Sequence, residues 1–130
     1  MKKRVVFLCI CTLLYRMMLC AQHAPEGLIA AFQKGDAAAL GSYLGHNVEL
    51  VVDKKHSQAE KQVAGKQLTA FFTANKVSRF QIIHQGRRDE SGFIIGTLVT
   101  SNGNFRVNCF FKKSENQYVI HQIRIDKSNE

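Results

Sequence analysis

The sequence predicts an α+β fold, with N-terminal helices packed on an antiparallel sheet. Three observations carry this reading. Apolar residues of the first half recur at helical spacing, as in Leu28, Ile29 and Phe32 or Leu68, Phe71 and Phe72. Four runs of the second half alternate with a period of two. The pair Asn102-Gly103 separates two of those runs, and Asn-Gly between alternating strands is a strong hairpin signal.

The chain starts with a basic cluster, Lys2, Lys3 and Arg4, followed by an apolar run from Val5 to Leu14 and a small-residue exit at Cys20-Ala21. That is the layout of a secretory signal peptide. The run is too short to span a bilayer, which needs ~20 residues. Residues 1–21 are therefore read as a signal peptide cut after Ala21, and the protein as exported, to the periplasm or the extracellular space. Acylation of Cys20 is the rival reading, and Leu19 disfavours it, because such sites take a small residue before the cysteine.

Removing the signal changes the composition. Four of the 18 Lys and Arg residues lie in it and none of the 10 acids does, so the net charge falls from +8 to +4. Export and the smaller charge both argue against nucleic acid as a partner. Cys9, Cys11 and Cys20 go as well, which leaves Cys109 without a disulfide partner. Residues 22–130 are long enough for one domain with one modest core, held by burial alone.

Within that domain Pro25 opens a first helix and Gly35 stops it. Asp36 is a candidate N-cap for a second helix that carries Leu40, Tyr43 and Leu44 and ends near Gly45. A strand spans Val48 to Val52, and Asp53, Lys54, Lys55 and His56 read as a polar turn. Ser57 with Glu60 fits a capping box for a third helix over about residues 61–75, although Gly65 interrupts its pattern. The four alternating runs are Ser78–Gln85, Gly92–Thr100, Asn104–Lys113 and Gln117–Asp126.

Alternation assigns two faces to this meander. Phe80, Ile82, His84, Phe93, Ile95, Thr97, Val99, Phe105, Val107, Cys109, Phe111, Val119, His121, Ile123 and Ile125 share the face expected to pack on the helices. The other face carries charged and polar residues together with Ile83, Ile94, Leu98, Phe110, Tyr118 and Ile120. So much apolar area beside charges predicts association through the sheet, as a homodimer.

Gly35-Asp36-Ala37 with Leu40, Phe71-Phe72 with Asn75, the run from Phe80 to Gly86, the run from Gly96 to Gly103, and Ile120 to Arg124 together resemble a family of small exported bacterial proteins, domain of unknown function 4783. That family resembles in turn the nuclear transport factor 2-like, cystatin-like cone. The resemblance implies a curved antiparallel sheet wrapped on a long helix, with a pocket at the open end, and often sheet-to-sheet pairing. It implies no activity.

Few residues offer chemistry. The five histidines lack metal-ligand spacing, so no metal site and no cofactor is expected. Asp53 and Asp126 fall at strand ends, Asp89 and Glu90 in a turn, and Glu49 mid-strand facing water, so no carboxylate lies on the inner face of the meander. His84 and His121 do lie on that face by parity. They are the candidate ligand-binding residues, with an acid/base pair and two merely structural strand residues as the alternatives. Cys109 reads as a small core residue. Lys54-Lys55, Arg87-Arg88 and Lys112-Lys113 read as solvated edge charges, with an anionic partner such as a lipid headgroup or acidic glycan as the alternative, and with it an association with the cell envelope. The leading functional expectation is a non-catalytic exported module that binds a small apolar or amphipathic ligand. The alternatives are a structural or protein-interaction module with a filled core, and a small enzyme using His84 or His121 as general base.

Overall fold

The computed structural model describes residues 24–128, and the predicted signal peptide lies outside the described residues. Helix α1 (Glu26–Lys34) starts from Pro25, whose carbonyl accepts the amides of Leu28 and Ile29. It ends in a Schellman motif: Gly35 turns left-handed at φ 62°, its amide bonds to the Phe32 carbonyl, and the Asp36 amide bonds to that of Ala31. Asp36 then caps α2 (Ala37–Gly41) by accepting the Ala39 amide at 3.1 Å.

Helix α2 is shorter than the sequence predicts. Tyr43 leaves it because its carbonyl accepts the Ile120 amide at 2.7 Å, and Leu44 already pairs with Ile120 in the sheet. Strand β1 (Leu44–Val52) therefore starts four residues early, and it pairs antiparallel with β2 (Lys55–Glu60). The turn between them is only Asp53-Lys54, both at positive φ, as a two-residue type I′ loop requires.

Strand β2 replaces the expected capping box. Ser57 pairs with Leu50 and donates its hydroxyl toward Gln67, and Glu60 precedes the next helix without a side-chain cap. An edge strand with Ala59 as its only buried residue has little alternation to reveal it. Helix α3 (Lys61–Ala74) lies where the sequence places it and buries Ala64, Leu68, Phe71 and Phe72 along one stripe.

The meander then follows: β3 (Val77–Arg88), β4 (Ser91–Thr100), β5 (Gly103–Ser114) and β6 (Gln117–Lys127). The β4–β5 hairpin forms at the predicted place, but Gly103 alone takes positive φ there. The sheet order is β2-β1-β6-β5-β4-β3, antiparallel in every neighbouring pair except β1 with β6. The expected α+β architecture, helices on a multi-strand sheet, is what the described residues form.

The core lies between helices and sheet. Phe32 of α1 stacks on Phe80 of β3 at 5.1 Å, and Phe71 of α3 meets Phe105 of β5 edge-on at 5.0 Å. Leu28, Phe32, Leu68, Ile94, Leu98, Phe111, Ile120 and Ile123 are fully buried, each worth ~1.5–3 kcal/mol in transfer terms.

The face assignment needs correction on three strands. On β4, Ile94, Gly96, Leu98 and Thr100 point inward, and Phe93, Ile95, Thr97 and Val99 point away from the helices. Both parities are apolar there, so alternation cannot choose. Packing chooses, because a side chain at Gly96 would strike the Phe80 ring at 2.5 Å. On β3 and β6 the cause is a bulge. Ile82 pairs with Gly96 and His84 with Ile95, so Ile83 is an extra residue. Phe111 pairs with Ile120 and Phe110 with Gln122, so His121 is another. One extra residue reverses the parity of everything on one side of it. Ile120 is thus core, and His84 and His121 are exposed.

Candidate functional site

The two bulges bring both histidines to one place. His84 of β3 and His121 of β6 line an open groove of about 610 Å³ together with Phe93 of β4 and Phe110 of β5. Phe93 and Phe110 are register partners. The His84 ring lies 5.2 Å from that of Phe93, and the His121 ring 6.4 Å from that of Phe110. Four rings therefore run across four strands, on the face opposite the fully buried Ile94 and Cys109. The groove opens to solvent, not into the cone, which corrects the inner-face placement of His84 and His121.

The β3–β4 end of the groove is basic. Arg87 and Arg88 line it, with the Arg87 guanidinium over the Tyr118 ring at 4.9 Å, on the Phe111 side of the sheet. Lys112 pairs with Ser91, another lining residue. Partial desolvation of its ring within the groove first, and then Lys112, hold the largely exposed His121 imidazole below the ordinary histidine value, with Glu49 opposing them. Glu49 itself lies 3.4 Å from His56. Among the described residues no cluster of three or more His, Cys, Asp or Glu side chains is arranged to hold a metal ion.

The interior is packed where an inner site was expected. Gln85, next to His84, points inward and accepts the Ala24 amide at 3.3 Å, and Tyr118 packs edge-on against Phe111 at 5.6 Å. A second depression of about 470 Å³ lies between α3 and the β1–β2 hairpin, lined by Leu50, Val52, Lys55, His56, Gln67 and Phe71 among others. It contains neither His84 nor His121. Cys109 is fully buried, which pushes its thiol far above the ordinary value.

The apolar residues of the expected sheet-face patch are partly different ones. Ile94, Leu98 and Ile120 belong to the core, and Tyr118 packs against it. Ile83 is 51% exposed and Phe110 is half-buried, and Phe93, Ile95 and Val99 join them as half-buried residues. The sequence reading missed Phe93 and the lining role of Arg87 and Arg88. The usable signal was Gly96, since a strand glycine that makes room for a core ring marks its own parity as inward.

Comparison with known proteins bears on the whole described fold. A DUF4783 family protein from Bacteroides ovatus ATCC 8483 is 56% identical, with a TM-score of 0.80 over 84% of this chain and 99% of that one. A second, from Bacteroides uniformis ATCC 8492, is 55% identical, with a TM-score of 0.79 over 82% and 99%. A de novo designed protein with a curved β-sheet has a TM-score of 0.64 at 11% identity over 78% and 93%, a likeness of fold alone. No curated protein matches the chain. The fold is nuclear transport factor 2-like. Residues 25–126 match the family described as Domain of unknown function (DUF4783), and the chain belongs to that family.

Proposed function

We propose that this protein is a non-catalytic exported module that binds a small apolar or amphipathic ligand in the groove of His84, Phe93, Phe110 and His121. The observation that carries the reading is the row of four rings over a recess of ligand size. Small-molecule sites are typically recesses of ~300–1,000 Å³ with an apolar floor and a few polar groups, and here the two imidazoles are those groups. Among the described residues neither histidine forms an ion pair with a carboxylate, Glu49 acting on His121 only from a distance, which favours binding over proton transfer. Export rests on the tripartite start of the sequence. Native mass spectrometry of the protein purified from its own host tests both points. The mature mass should correspond to residues 22–130, and a small molecule should be retained by the wild type and lost from Phe110→Ser. A protein that carries nothing, or a ligand retained equally by Phe110→Ser, contradicts the binding site.

A second reading is a structural module that pairs through its sheet as a homodimer. It is favoured by the packed interior and by Ile83, Ile95 and Val99 on the same outer face as the groove. Such a dimer would cover Phe93 and Phe110. Light scattering across micromolar concentrations separates the readings, because a wild type that stays monomeric leaves the groove open.

A further inference from the structure

We propose that the ligand of this groove is a free small anion: a flat apolar body with one acidic group, laid on Phe93 and Phe110 with the acid toward Arg88 and Lys112. The inference rests on the binding reading above and adds the sign of the charge and where it sits.

The two ends of the groove are unequal. Its floor is apolar, built from the Phe93–Phe110 pair. Arg87 and Arg88 end β3, and Lys112 and Lys113 end β5. Ser91, opposite Lys112, places these two strand ends beside each other. Asp89 and Glu90 in the β3–β4 turn and Glu115 in the β5–β6 turn are the nearby acids in sequence, and Glu49 of β1 acts on His121. Among the described residues no carboxylate forms an ion pair with Arg87, Arg88 or Lys112. The pairs that do form, Glu49 with His56 and Arg124 with Asp126, involve other residues of β1, β2 and β6.

Unneutralised cations beside an apolar floor create a local positive potential, which favours an anion that can also bury apolar surface. At His121, after desolvation, Lys112 disfavours protonation and Glu49 favours it. A neutral imidazole there can still donate one N–H to an acidic oxygen. A recess of about 610 Å³ suits a molecule of two or three rings rather than a bilayer surface.

A matched pair of dyes tests this. 8-Anilinonaphthalene-1-sulfonate and N-phenyl-1-naphthylamine share one aromatic body and differ by the sulfonate. Fluorescence titration of the mature protein with each dye is compared with Arg88→Gln/Lys112→Gln and with Phe110→Ser, circular dichroism confirming that each variant is folded. The double charge variant should bind the sulfonate about fivefold more weakly, as two exposed charge contacts imply, and should bind the neutral dye as the wild type does. Phe110→Ser should weaken both. If Phe110→Ser weakens both dyes while the charge variant changes neither, the anion inference falls and the binding groove stands. If Phe110→Ser changes neither dye, the groove reading falls with it. Co-sedimentation with phosphatidylglycerol vesicles, lost in the charge variant and unaffected by either dye, would overturn the free-molecule source in favour of a lipid headgroup.

Discussion

Phe93 and Phe110 face each other directly across the β4–β5 ladder, on the side of the sheet away from the helices. Their register neighbours Ile94 and Cys109 are fully buried on the opposite side. The same pair of strands thus supplies the wall of the core and the floor of a surface groove, and bulges at Ile83 and His121 turn a histidine toward each side of that floor.

Two glycines should respond in opposite directions to alanine. Gly35 sits at φ 62° with the Val77 side chain 2.8 Å from where a Cβ would stand, so Gly35→Ala should destabilise by about 1–2 kcal/mol. Gly65 lies inside α3 with open space where its Cβ would be, so Gly65→Ala should stabilise by up to ~1 kcal/mol. Urea denaturation of the two variants measures both, and equal signs would contradict the assignment.

Cys109 should be inert in the native state. Its thiol is wholly buried, and burial holds it protonated at any ordinary pH. Ellman's reagent at pH 8 should label the mature protein only at the rate of unfolding, and immediately in denaturant. Fast native labelling would place Cys109 outside the core.

His121 should impose an acid-side loss of stability. Burial, then Lys112, lower its pKa from 6.5, so the unfolded chain takes up the proton first as pH falls. The histidine's contribution is intact above 6.5, declines as pH drops from 6.5 toward the folded-state value, and levels off below it. The Tm difference between wild type and His121→Gln should shift across that window in favour of the variant. A pH-independent difference would contradict it.

The sequence disclosed the elements better than the faces. Gly35 and Asp36 marked a real helix boundary, because a left-handed cap and a carboxylate cap are local chemistry. Leu68, Phe71 and Phe72 marked α3 for the same reason: the stripe is inherent in their spacing. The site was harder. His84 and His121 were legible as the residues to watch, but alternation assumed unbroken strands, and a bulge leaves no mark in a run such as Ile82-Ile83-His84 or Ile120-His121-Gln122. Strand β2 was invisible because Lys55 to Glu60 is polar on both sides apart from Ala59.

The proposed ligand sits on the outer sheet face, within reach of His84 and His121 together. The most direct measurement is a titration of the mature protein with N-phenyl-1-naphthylamine, followed by NMR of the imidazole and methyl resonances. The His84 and His121 signals should move together along one binding curve, while the methyls of Leu50 and Leu68 stay in place. Shifts centred on Leu50 and the ring of Phe71, with both histidines unmoved, would put the ligand in the depression between α3 and the β1–β2 hairpin and contradict the account.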